Sequence, residues 1–472
     1  MVKMFPNVVR GSAVTLTAAL ICALAGGGSP AVDRHWMGLF VGETRIGYSW
    51  YEDRPLENGG KSVLSETVIR GRMLNDEISL RVASETELDA QGEVQRISSE
   101  TESGGRTVAV VAARDGNRLI VDRNQGGARG RSEVALTEGV PFTQDPLEQL
   151  VVAGQAPEIG SRKVQSFDSN LLSMVVIEVV CEGETTIEPG AMKAYRIEIK
   201  DPRAPSTAYV SATGEVIRIE GPMGIVYRPE TEAAARQIGE GSVELSNEGS
   251  VPLDRPLNQR MRGPLTLEIA GLRRELPSDG HQTVEKKGDV VQVTVHPVAP
   301  DFELLLSDAR RGPEEWRKAE PRLPSDREDV RREAARIVGR EGRVARAIEK
   351  LRLAVYQRMR VNAGIGVLRE YDEIWESQEG VCRDHAIALA TLVRAAGVPA
   401  KLVSGLVAVG DKFYYHAWVE YWDGEKWVGV DSTRPAPQLT SHHIKVAEGS
   451  VAQAYGAFLL EGARIRVIRE TP

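Results

Sequence analysis

An α+β protein, in which antiparallel all-β domains precede a C-terminal domain made of a helix packed on an antiparallel sheet, follows from three features of the sequence. Residues from about Trp36 to Tyr227 form short β-branched and aromatic runs punctuated by Gly, Asn and Asp, the pattern of strands joined by tight turns. From Val330 to Val355 the apolar residues recur instead at helical spacing. The segment "EGVCRDHAIALATLVRAAGVPAKLVSG", residues 379–405, then sets a cysteine directly before an almost wholly apolar run that stops at Gly397 and Pro399.

With 472 residues, 42% of them hydrophobic, the chain can bury the cores of roughly two to four domains. A net charge of −8 argues against a nucleic-acid or anionic-membrane partner, either of which calls for a basic face. The arginines between 327 and 360 alternate with Asp and Glu, as in "DREDVRREAARIVGREGRVAR", which describes solvated helices carrying neighbouring ion pairs.

Lys3 and Arg10 precede an apolar stretch from Ser12 to Ala25, and Ala23-Leu24-Ala25 offers small residues at a cleavage position. Residues 1–25 therefore read as a signal peptide and the chain as exported, to the periplasm or outside the cell. The stretch is shorter than the roughly 20 residues that span a bilayer, so membrane contact is expected only if it is retained. Cys22 follows Ile21 rather than a small residue and belongs to the discarded segment. The mature chain keeps Cys181 and Cys382, too few for a disulfide framework.

The first domain, residues 26–240, is expected to be an antiparallel β domain. In "WMGLFVGETRIGYSWYE" a turn at Gly42-Glu43, with Gly at positive φ, pairs the flanking strands as a hairpin. "AQGEVQRI" from Ala90 and "ATGEVIRI" from Ala212 each join a Gly turn to an alternating strand. Cys181 lies in the β-branched run "SMVVIEVVCEGE", where a buried, inert thiol is expected. A stretch rich in Ala, Glu and Arg from Pro229 closes this domain. Residues 241–300 read as a small β module and 301–325 as a linker carrying prolines and scattered charges. Ser325 and Glu328 have the spacing of a capping box, which opens the last domain, residues 326–472.

Within that domain Cys382 begins its helix beside Arg383, Asp384 and His385, where the positive end of the helix dipole stabilises a thiolate. From Ala386 to Ala396 the residues are mostly small or apolar all round, so the helix is buried on most sides. "KLVSGLVAV", "FYYHAWVEYW" and "KWVGVDST" alternate as strands, with turns at Gly410-Asp411 and Asp423-Gly424. His416 stands mid-strand and Asp431 ends the next strand. If the pairing closes about Trp422 and Lys426, the two lie within about one step of each other on one face. Cys382, His416 and Asp431 are thus candidates for a thiol nucleophile, its base and the carboxylate that orients the base. Trp418 points to the same face, where walling a cleft and packing the core remain alternatives. A metal set of Cys382, Asp384, His385 and His416 lacks a second pair at ligand spacing, and His442-His443 are adjacent rather than spaced. No cofactor motif and no Asp-rich loop with calcium-ligand spacing is present.

These segments resemble the transglutaminase-like superfamily, a papain-related group, over about residues 326–449. The nucleophile helix, its Gly-Val-Pro stop, the His-Ala-Trp strand and the Trp-Val-x-Val-Asp strand occur in that order. The later "HHIKVAEG", from His442, is similar to a segment of exported bacterial members that carry β domains ahead of this one. Ser432 stands where many members have Pro. The resemblance implies a catalytic triad of Cys382, His416 and Asp431 that works through a thioester on protein or peptide amide bonds. Hydrolysis by a peptidase or amidase is common among bacterial-type members; a cross-linking transferase with an amine acceptor, and a non-catalytic protein-binding module, are the alternatives.

Overall fold

The computed structural model describes residues 34–471 apart from 74–75, 189, 239–242, 246–249, 259–260, 273–274, 436–438 and 456–461. The signal-peptide reading of residues 1–25, with Cys22, lies outside the described residues. The chain forms two compact units, one ending at Glu248 and the other running on from Gly249.

The first unit is a sheet of fourteen antiparallel strands among the described residues, two meanders joined where the first strand, His35–Val41, pairs with the last, Ile225–Glu230. The Gly42-Glu43 turn holds Val41 opposite Thr44, as the sequence predicts. Alternation along each strand sends one set of side chains inward, so Val164, Ile177, Val179, Cys181, Ile197 and Ile199 meet in one core. Burial pushes the Cys181 thiol above its ordinary range, the behaviour of an inert core cysteine.

The second unit holds the candidate catalytic residues. Its central helix, Cys382–Ala395, is buried at every position from Cys382 to Arg394. It packs on the strands Ala400–Val409 and Lys412–Trp422 and on the helices Glu328–Val338 and Val344–Arg358, which is why its apolar residues are not confined to one stripe. Val251–Pro252, Lys412–Trp422, Ala400–Val409 and His443–Gly449 lie side by side in that order, and Trp427–Val430 pairs with the far half of Lys412–Trp422. At Gly405, opposite His416, a Cβ would stand 2.1 Å from the Ile444 carbonyl oxygen and 2.5 Å from the Trp418 ring, so only glycine admits both neighbours. Among the described residues no helix is long and apolar enough to cross a membrane.

One expected cap is not formed. The helix over Glu328–Val338 starts after Arg327 without a side-chain cap, and the Ser325 hydroxyl donates instead to the Arg317 carbonyl at 3.5 Å. Arg327 holds the start of this helix by pairing with Asp329 and Asp372.

Three strands of the expected small module, Leu265–Ala270, Gln282–Lys287 and Val290–Val295, form a sheet with the C-terminal strand Arg464–Glu470. This sheet is tied to the His443–Gly449 strand. The Gln282 side chain exchanges hydrogen bonds with the Lys445 backbone at 2.8 Å each way, and a His281 ring nitrogen lies 3.0 Å from the His443 carbonyl oxygen. The Lys445 ammonium is buried against Asp279, Glu420 at 2.6 Å and Glu448 at 2.7 Å. Lys445→Met leaves the buried Glu420 carboxylate without its partner, so the substitution should cost about 3–5 kcal/mol at pH 8. Burial pushes Glu420 up to about 7 even with Lys445 beside it, so the deficit should shrink as pH falls and the carboxylates protonate. Thermal melts of the two proteins at pH 8 and pH 5 check both statements.

Candidate active site

Val381 precedes the Cys382 helix in extended conformation, and the Asp384 carboxylate reaches back to accept the Val381 N–H at 2.8 Å. The buried Arg369 guanidinium donates to the same carboxylate at 3.2 Å and to the Glu379 carbonyl at 2.6 Å. Gly380 makes this approach possible, since a Cβ there would lie 2.6 Å from the Asp384 Cβ. Asp384 is therefore the cap that fixes where the helix begins. Cys382 becomes its first residue, at the end where the peptide dipoles present partial positive charge.

His416 sits on the strand that packs across this helix, in side-chain contact with Cys382. Its Nε2–H donates to Asp431 Oδ2 at 2.8 Å, which leaves Nδ1 as the ring nitrogen for the thiol. The other carboxylate oxygen, Oδ1, accepts the Thr433 N–H at 2.8 Å and the Thr433 hydroxyl at 2.7 Å. Asp431 thus does two jobs, one oxygen closing the turn and the other orienting the imidazole. All three candidates are buried, with Cys382 at 5%, His416 at 6% and Asp431 at 1% exposure.

The register that brings them together differs from the expected one. Trp422 faces Trp427, not Lys426, because Asp423 closes a four-residue turn by accepting the N–H groups of Glu425 and Lys426 at 2.9 Å each. The ladder ends at Val419 opposite Val430. Asp431 therefore reaches His416 from beyond the ladder, on a diagonal rather than as its direct neighbour.

Burial opposes charge on His416, yet the negative charge of Asp431, the hydrogen bond to it and the contact with Cys382 outweigh burial and push the imidazole up to about 10. Burial likewise works against the Asp431 carboxylate, and the charge and hydrogen bond of His416 overcome it, holding the group well below the usual carboxylate range. The linkage runs in opposite directions for the two groups. The stabilisation from His416 is complete below about pH 6.5 and is lost as pH rises toward 10, whereas that from Asp431 is present above about pH 4 and is lost on acidification. Melting temperatures of the unmodified chain and of His416→Gln should accordingly differ more at pH 6 than at pH 10.

His443, discounted in the sequence because it adjoins His442, lies in this site. Its ring centroid is 6.0 Å from that of His416, and burial, Arg434 and His416 hold it well below its ordinary range, so it is neutral. His416, Asp431 and His443 present ligand atoms within 4.8 Å of one another. Those atoms are engaged. Nδ1–H of His443 donates to the Thr440 carbonyl at 3.1 Å, Nε2 faces the Arg434 guanidinium at 3.3 Å, and Asp431 is taken by His416 and Thr433. The four-residue set of Cys382, Asp384, His385 and His416 is not brought together as ligands, since Asp384 caps the helix and His385 donates to the Ser432 carbonyl. Trp418 is core: it is 1% exposed and packs with Val403 and Leu439, its ring stacked 6.3 Å from His416.

Comparison with protein families matches residues 331–432 to the transglutaminase-like superfamily. Residues 331–432 form a transglutaminase-like domain. That domain carries the Cys382 helix, the His416 strand and Asp431, whereas His443 and its contact His281 lie outside the match. Over 88 residues the chain is 40% identical to the protein-glutamine gamma-glutamyltransferase of Pseudomonas aeruginosa, an alignment covering 16% of this chain and 13% of that relative's length. Among solved structures, a proposed cysteine protease from Cytophaga hutchinsonii is similar at 18% identity and a TM-score of 0.32, covering 43% of this chain and 81% of that one. A β-barrel-like protein of a domain of unknown function from Brucella abortus is similar at 15% identity and a TM-score of 0.33, covering 42% and 97%.

Proposed function

We propose that the protein is an exported, cysteine-dependent acyl-transfer enzyme that opens amide bonds of proteins or peptides with Cys382 as nucleophile, His416 as base and Asp431 as orienting carboxylate, and that water completes the reaction, as in a peptidase or amidase. The observation that carries the reading is the 2.8 Å bond from His416 Nε2 to Asp431, which leaves Nδ1 as the ring nitrogen available to Cys382 at the start of its helix. With Asp431 stabilising the imidazolium, the thiol proton passes to His416 and the resting pair is thiolate and imidazolium. The sulfur forms a bond to the amide carbonyl carbon, the helix N-terminus stabilises the oxyanion, and His416 gives its proton to the leaving nitrogen as the C–N bond breaks. Water then attacks the thioester, returns a proton to His416 and releases the acid.

An amine acceptor in place of water is the second reading, favoured by the similarity of 88 residues to the Pseudomonas aeruginosa glutamyltransferase. Incubating the protein with peptide libraries, with and without a primary amine, and reading the products by mass spectrometry separates the two. Hydrolysed peptides whether or not amine is added support the hydrolase, and amine adducts support the transferase. Neither product, from a preparation whose Cys382 reacts with thiol reagents, contradicts both. Export belongs to the same proposal, and N-terminal sequencing of the native protein should find the chain starting near Gly26. An intact Met1 on soluble protein contradicts it.

A further inference from the structure

His385 lies one helical turn after Cys382, on the same face of the helix, and is 3% exposed. Its Nδ1 is 3.0 Å from the Ser432 carbonyl oxygen, which can only accept, so Nδ1 carries the proton. The Ser432 hydroxyl returns a bond of 3.3 Å to the His385 carbonyl. Nε2 is buried without a hydrogen-bond partner, and a neutral ring with its hydrogen on Nδ1 leaves a bare lone pair there. Burial also keeps the ring neutral, against the pull of Asp431 and Asp384, and His416 reinforces this. A second imidazolium would compete with His416 for Asp431.

Ser432 directly follows Asp431, in the turn that carries the carboxylate past the end of its ladder. We infer that His385 is a positioning residue: the reciprocal bonds between His385 and Ser432 lock the Asp431 turn to the helix that carries Cys382, and thereby hold Asp431 in line with His416. This inference rests on the triad reading and adds to it a residue that touches no substrate. Neither strand pairing nor the helix cap can supply the same constraint, because the ladder stops at Val430 and Asp384 faces Arg369 and Val381.

The test uses the full chain with 15N-labelled histidine and follows the His416 ring through a pH titration by NMR, in the unmodified protein and in His385→Asn, His385→Gln and His385→Phe. Asn places an N–H donor close to where Nδ1 stands, whereas Gln places it near Nε2 and Phe supplies none. The expected result is that Asn keeps the raised His416 titration, while Gln and Phe lower it by about one pH unit or more as Asp431 swings away. Unchanged titration in every variant that folds, or an equal drop in Asn and Gln, would overturn the inference, the second outcome assigning His385 to packing alone. Should Phe fail to fold, the contrast of Asn with Gln still decides. His416 titrating near 6.5 in the unmodified chain would instead count against the triad reading itself.

Discussion

Cys382→Ala should abolish turnover of any peptide or amine substrate the protein accepts, because no neighbouring group can replace the sulfur in forming the thioester. Cys382 is buried at the first turn of its helix, and losing one sulfur there should change stability by about 1 kcal/mol. Activity assays and thermal melts on the same preparation make the comparison. Residual turnover at the unmodified rate would remove Cys382 from the chemistry, and a collapse of the fold would show that the assay had not tested it.

Asp431→Asn is expected to lower kcat by about 10²–10⁴ with little change in KM. The two oxygens of the carboxylate predict how. In the variant a carbonyl oxygen can still accept from Thr433 at the Oδ1 position and keep the turn closed. The amide nitrogen then meets His416 Nε2, where two donors face each other unless the ring gives up the Nε2 proton and takes the wrong tautomer for Cys382. The charge that favours the imidazolium is gone as well. Turnover should therefore fall far more than stability does, and kinetics with thermal melts on this variant would expose a purely structural Asp431 by near-normal kcat.

Much of this site is legible in the sequence, for a physical reason. Cys382, His416 and Asp431 are polar residues set into runs that otherwise alternate or repeat as buried apolar structure, and a polar group buried there needs a partner. Their order and the turns between them narrow the partners to one another. The exact register does not follow, since closing the hairpin at Trp422 and Lys426 leaves three residues in the turn while the Asp423 side chain builds a four-residue one. Capping is misread at Ser325 because spacing alone cannot tell which local donor a hydroxyl will meet. At Asp384 the same chemistry goes unnoticed, although the residue caps the more important helix. His281 and His443 belong to the surroundings of the site through a contact across 162 residues, which no local pattern reports. In the first unit single hairpins are readable from their glycines, whereas the pairing of its first strand with its last is a long-range fact of topology.

The proposed chemistry needs a thiolate–imidazolium pair between Cys382 and His416, and the rate of Cys382 alkylation by iodoacetamide between pH 5 and 9 tests that pair without knowledge of the substrate. Peptide mass spectrometry separates Cys382 from the inert Cys181. If the thiol proton already resides on His416, Cys382 should react rapidly from the acidic end of this range with a rate that changes little toward neutrality. A rate that is slow at pH 5 to 7 and climbs only in the range where an isolated thiol ionises would contradict it.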